Sequence, residues 1–157
     1  MRPGWRGSIV TAMATLSAEI DIRATPDRIL DVIADLSSYP QWSSVHRRAT
    51  VTERDERGRP RRATMAVAAA GLTDEQTLDY TWSADGVLWT LVSSAQQKRQ
   101  EGGYSITAGS GDVSHVRYQL SIDPSIPMPG ILVRQIMRKA VSAATDGLKR
   151  RVETPAT

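Results

Sequence analysis

One apolar stripe near the C-terminus constrains this chain more than any other feature. Val133, Met137, Ala140, Val141, Ala144, Leu148 and Val152 recur at spacings of three and four, so a single long helix over residues 129–152 places them all on one face. Arg134, Arg138, Lys139, Ser142, Asp146, Lys149 and Arg150 occupy much of the remaining surface and should face water. A helix this long with one apolar face needs a wall to lie against, and the upstream sequence has to supply it.

Upstream, the dominant period is two. Leu16, Ala18, Ile20 and Ile22 alternate with Ser17, Glu19, Asp21 and Arg23, which predicts a first strand with one apolar face. TPDRILDVIADL then predicts a short helix, with Thr25 as its cap, Pro26 at its first position and Ile29, Val32, Ile33 and Leu36 on its buried side. In DLSSYPQW, Ser37 and Ser38 suit caps or turns, and Tyr39 is expected outside helical geometry because Pro40 follows it. Trp42 either plugs the handover from helix to strand or stands at the rim of a cavity. Strands are predicted over residues 45–54, 61–70, 73–82, 87–94, 98–107 and 113–123, punctuated by RDERGRP, Gly71, SADG and AGSGD. Leu78, Tyr80 and Trp82 share one face and Thr77, Asp79 and Thr81 the other, while His115 falls on the polar face of the last strand. The order of elements is α+β: a curved antiparallel sheet of about seven strands wrapped around a long C-terminal helix, with two short helices after the first strand.

Composition narrows the chemistry. At 157 residues one domain is expected, over residues 13–154, large enough to fold without disulfide or metal. The chain has no cysteine, and its two histidines, His46 and His115, are far apart, so no metal site and no cofactor are expected. The net charge is +3 without a long run of one sign, and RDERGRPRR mixes both signs as a solvated hairpin tip does, so nucleic acid is not an expected partner. AGSGD lacks the following helix that a phosphate-binding loop needs. No apolar run approaches the ~18 residues of a membrane span, and a soluble, cytoplasmic protein is expected. The segment MRPGWRGSIVTA is too short and interrupted for a signal-peptide core; Met13 is the expected natural start and residues 1–12 a poorly ordered extension.

Four stretches carry a resemblance: DLSSYPQW after the first helix, the strands TDEQTLDYTW and VLWTLVSS, and DPSIPMPGILVRQIMRKAV leading the last helix. With the order of elements, they make residues 14–153 resemble the START-like (SRPBCC) superfamily in its actinobacterial polyketide cyclase/dehydrase branch. This is the helix-grip fold shared with the birch-pollen allergen and lipid-transfer START domains. The resemblance implies an elongated apolar cavity between sheet and helix, holding a lipid, sterol, quinone or polyketide-like molecule. Inward-facing candidates for ligand contact are Trp42, Met65, Val67, Leu78, Tyr80, Trp82, Trp89, Leu91, Tyr104, Tyr118, Met137 and Val141. Small residues among them and on the helix stripe either leave a void or let the helix pack closer.

Functionally, three readings stay open: a carrier of an apolar or amphipathic small molecule, a polyketide cyclase or dehydrase working in the same cavity, and a packed scaffold for protein association. For catalysis the candidates are Tyr80, Tyr104 and Tyr118, whose hydroxyls could polarise a carbonyl if desolvated, or could simply bond to backbone. His46 could face either way, with a solvated position the simpler expectation. In SIPMPGIL the apolar Ile126, Met128, Ile131 and Leu132 alternate with Pro127, Pro129 and Gly130. They either pack across the mouth of the sheet or form an entrance loop that touches an anionic membrane transiently, alongside Arg134, Arg138 and Lys139. The sequence gives no indication of oligomeric state.

Overall fold

A computed structural model describes residues 9–10 and 14–154. Of the stretch expected to be an N-terminal extension, only Ile9–Val10 are among the described residues, where they form β1; the others, and Met13, lie outside them. The alternating segment that follows forms β2 (Ala14–Arg23), and α1 (Pro26–Ala34) begins at Thr25, whose side chain accepts from the Arg28 N–H at 3.3 Å. A short 3-10 turn (Leu36–Ser38) and α2 (Tyr39–Trp42) lead into β3 (His46–Arg54). Tyr39 is helical (φ −54°, ψ −40°), against the expectation from Pro40. Pro40 here sits in the first turn, where its missing N–H is not needed. The Tyr39 ring is buried, and its hydroxyl donates to the Ile33 carbonyl, which holds the backbone in place.

The strands β4 (Pro60–Ala69), β5 (Leu72–Ser83), β6 (Gly86–Ser94), β7 (Gln97–Ala108) and β8 (Val113–Pro124) continue the meander. They form a seven-stranded antiparallel sheet in the order β2-β8-β7-β6-β5-β4-β3. Consecutive strands are neighbours except that β2 pairs with β8, so the chain's passage from β2 to β3 joins the two edges of the sheet. That passage is α1 and α2. Register shifts in the β3–β4, β5–β6 and β7–β8 pairs mark bulges, which bend and twist a sheet enough to let it wrap. The β4–β5 hairpin turns through Ala70 (φ 52°) and Gly71 (φ 82°). A non-glycine residue in this left-handed region costs about 1–2 kcal/mol, so Ala70→Gly is expected to raise the urea midpoint, with a gain of about 0.5–1 kcal/mol after glycine's extra unfolded-state entropy.

A two-residue strand β9 (Met128–Pro129), paired with β1, precedes the final helix. The expected single helix is interrupted: α3 (Gly130–Ser142) passes through a π-turn (Ala143–Gly147) into α4 (Leu148–Glu153). A π-turn displaces carbonyls from their usual partners, and here side chains take them up. Tyr104 donates to the Ala144 carbonyl at 2.8 Å, and Thr145 Oγ1 to the Val141 carbonyl at 2.9 Å. Gly147 lets the turn come close to α2, since a Cβ there would lie 2.8 Å from the Trp42 carbonyl oxygen. The core is built on Ile22 and Val116 of the sheet, Ile29 and Ile33 of α1, and Val133 and Leu148 of the closing helix, all buried.

Candidate functional site: the cavity between sheet and helix

Between the concave face of the sheet and the long helix lies a cavity of about 150 Å³. At that size an apolar protein cavity accommodates roughly one aromatic ring, so a multi-ring ligand needs part of the wall to move. Of the residues anticipated from sequence, Trp42, Met65, Val67, Leu78, Tyr80, Trp89, Tyr104 and Tyr118 line it together. Trp82 and Leu91 do not. The strand face that carries Tyr80 runs past the end of the cavity at Trp82, whose indole N–H donates to the Pro60 carbonyl at 2.7 Å beneath the Arg59 guanidinium. Leu91 pairs with Leu78 next to the β5–β6 register shift and stays half-buried outside the wall. Met137 and Val141 are also absent from the wall, although both are buried; the helix presents Ile136, Ala140 and Ala144 to the cavity instead. The stripe's larger side chains pack the core on one flank, and its small residues border the space.

The inner end is aromatic. Trp89 stands 5.9 Å from both Tyr80 and Tyr118 and 6.0 Å from Tyr104, centroid to centroid, while Tyr104 and Tyr118 are 5.0 Å apart. Trp89 is opposite Gly102 across the β6–β7 pair, and a Cβ on Gly102 would fall 2.5 Å from the indole, so the glycine makes the ring's position available. The three catalytic candidates differ. Tyr104 is tied to the Ala144 carbonyl, whereas the hydroxyls of Tyr80 and Tyr118 have no hydrogen-bond partner among the described residues. Burial raises the pKa of all three, which keeps them protonated as donors and makes them poor bases at neutral pH.

His46 belongs to this wall, half-buried against the edge of the Tyr39 ring 5.1 Å away, with Nδ1 2.6 Å from Ser43 Oγ. Desolvation lowers its pKa to about 4, so the imidazole is neutral at pH 7. The unfolded chain takes up this proton near pH 6.5 and the folded one only near pH 4. Stability from His46 is therefore complete above pH 6.5 and is lost as pH falls toward 4, by about 2 kcal/mol for a partly exposed ring. His115, which Asp21 and Glu19 shift upward by hydrogen bonding, has the opposite sign: its contribution is complete below pH 6.5 and declines only as pH rises above it. Urea denaturation between pH 6.5 and 4.5 is expected to give a steeper decline for the wild type than for His46→Gln.

The end of the cavity toward the β4–β5, β6–β7 and β8–β9 connections is polar, a feature outside the sequence-based candidates. Asp74, Gln76 and Gln100 are buried there, with Gln96 and Gln97 beside them in the wall. The Asp74 carboxylate accepts from Gln76 Nε2 (3.0 Å), Ser94 Oγ (2.6 Å), Gln97 Nε2 (3.4 Å) and the backbone N–H groups of Ala95 (3.2 Å) and Gln96 (3.1 Å). Gln100 accepts from Trp89 Nε1 and donates to Gln97 Oε1, both at 3.0 Å, which joins the polar end to the aromatic one. Of the anticipated entrance loop, Met128 lines the cavity, Leu132 is half-buried against the core, and Ile126 and Ile131 are exposed at 55% and 70%. Among the described residues, no group of three or more Asp, Glu or His side chains is disposed to hold a metal ion.

The architecture recurs in solved structures. A START superfamily protein from Mycobacterium smegmatis superposes with a TM-score of 0.81 at 21% identity, over 88% of this chain and 97% of that one. A protein from Thermus thermophilus gives 0.79 at 20% identity, over 92% and 100% of the two chains. The Zhui aromatase/cyclase from Streptomyces sp. R1128 gives 0.78 at 9% identity, over 90% and 94%. At these identities the likeness is one of fold, and it establishes the helix-grip architecture expected from the sequence. No curated protein matches the chain. Residues 13–153 match the family described as polyketide cyclase / dehydrase and lipid transport, and the chain belongs to that family.

Proposed function

We propose that the protein binds a small, predominantly apolar molecule in the cavity between its sheet and its C-terminal helix, as a carrier or receptor. The observation that supports this most directly is an apolar and aromatic cavity with two tyrosine hydroxyls, Tyr80 and Tyr118, unpartnered among the described residues. A filled core would not leave such groups open. The family's description, which joins cyclase and dehydrase activity with lipid transport, agrees with a ligand of this class. Native mass spectrometry of protein purified from its own source tests the reading, with a co-purified apolar compound as the expected result. Protein that arrives empty and takes up no fluorescent lipid or polyphenol would overturn it in favour of a packed scaffold.

The same two hydroxyls favour a second reading, in which a ketide bound in the cavity is cyclised or dehydrated. Held protonated in a desolvated wall, either could donate to a carbonyl and favour its enolisation. Tyr80→Phe and Tyr118→Phe are then expected to slow turnover of a cyclisable ketide, and unchanged turnover in both removes the assignment.

The proposal further includes transient contact with anionic membranes at the entrance. Exposed Ile126 lies in the segment that leads into α3 and exposed Ile131 in the first turn of that helix, whose Arg134, Arg138 and Lys139 are also exposed. Among the described residues no helix is long and apolar enough to cross a membrane, and the reading sets the protein at work in the cytoplasm. Vesicle flotation with and without anionic lipid tests the contact, and an absence of binding to both would remove it.

A further inference from the structure

We infer that the ligand is neutral and carries a hydroxyl or N–H donor, which binds the Gln76 side-chain oxygen at the polar end of the cavity. This deepens the binding role proposed above and rests on it. Gln76 is buried, 6% exposed, and lines the cavity. Its Nε2 donates to Asp74 Oδ2 at 3.0 Å, and because a carboxylate oxygen only accepts, that contact fixes which way round the amide lies. The other amide atom, Oε1, is left without a partner. Among the buried members of the cluster, within the described residues, it stands alone in this: both Asp74 oxygens accept, and both ends of the Gln100 amide are engaged.

The strand register orders the polarity along the cavity. Asp74 is nearest the β4–β5 turn, Gln76 is two residues further along β5, and Leu78 and Tyr80 follow on the same face. A ligand with its apolar body among Leu78, Trp89 and Tyr118 thus brings one end to Gln76. An acceptor placed there would meet the amide oxygen with no proton between them, and a carboxylate would also be buried beside that of Asp74. A donor satisfies the oxygen, and a ligand that expels solvent without supplying one leaves it stranded.

A probe series sized to the cavity tests this: 4-propylphenol, its methyl ether, propylbenzene and 4-propylbenzoate, titrated by calorimetry into the wild type and Gln76→Met. The phenol is expected to bind the wild type about fivefold to tenfold more tightly than the ether or propylbenzene, the difference expected for one neutral hydrogen bond. The benzoate is expected to bind at least about 100-fold more weakly than the phenol. In Gln76→Met the phenol's advantage should vanish while propylbenzene binding persists. Equal binding of the three neutral probes to the wild type overturns the inference and leaves the cavity reading intact. So does tight benzoate binding, or a phenol preference that survives in Gln76→Met. If no probe binds, the cavity reading fails and the inference with it. Should Gln76→Met not fold, Gln76→Leu serves as the second variant: it likewise removes the acceptor from the cavity wall, and loss of the phenol preference remains the expected result.

Discussion

Gly102→Ala is expected to destabilise the fold by about 2–3 kcal/mol, the upper part of the range for overpacking a core, and to abolish ligand uptake. A Cβ at this position would lie 2.5 Å from Cε2 and Cζ2 of Trp89 and 2.6 Å from its Nε1. A flexible side-chain end could yield cheaply, but this indole cannot. Its N–H is anchored on Gln100 Oε1 at 3.0 Å, and Tyr80, Tyr104 and Tyr118 surround it at centroid distances of 5.9 to 6.0 Å. The ring can escape only into the cavity, which it would fill while breaking its bond to the polar end. Urea unfolding followed by circular dichroism measures the stability loss, and near-ultraviolet dichroism reports the displaced indole. Wild-type stability with wild-type ligand binding would show that Trp89 has freedom the packing denies it.

The residues that make this site were unevenly legible in the sequence. Period-two alternation marked the strands around Leu16–Ile22, Leu78–Trp82 and Val116–Ile122, because an antiparallel sheet with one buried face writes its register into apolar positions, and turn residues punctuated the other four of the seven strands. The aromatic end was readable for the same reason: Tyr80, Trp89, Tyr104 and Tyr118 are conspicuous inward residues. The polar end was hidden by its own chemistry, since Asp74, Gln76 and Gln100 read as solvent-facing by type. The signal was nonetheless present. Counting back in twos from Tyr80 reaches Leu78, Gln76 and Asp74, and from Tyr104 reaches Gly102 and Gln100, so parity alone puts all of them on the cavity face. Gly102 was invisible as a packing device because its role depends on which residue lies opposite, and register is a tertiary fact. The π-turn escaped for a similar reason. Nothing in AATDG departs from helical periodicity, and the turn is held by a hydroxyl forty residues away, on Tyr104.

Asp74→Ala is the second substitution with a large expected effect, a loss of about 2–4 kcal/mol, because it orphans several donors at once. Asp74 sits in β5, yet its carboxylate organises the connection between β6 and β7, taking up the N–H groups of Ala95 and Gln96 and the side chains of Ser94 and Gln97. Removing it strands Gln76 Nε2 inside the cavity wall as well. The damage should be local in structure but not in consequence, because Gln97 steadies Gln100 and Gln100 steadies Trp89. Asp74→Asn separates charge from shape. It keeps an acceptor for part of the network but turns an NH2 group toward other donors, so a loss of about half that of the alanine variant is expected. Hydrogen exchange supplies the discriminating readout: amides of residues 95–97 should exchange markedly faster in both variants, while those of β2, at the edge of the sheet, keep their protection apart from the global loss. If the 95–97 amides retain wild-type protection in Asp74→Ala, the carboxylate is not what orders this end of the cavity.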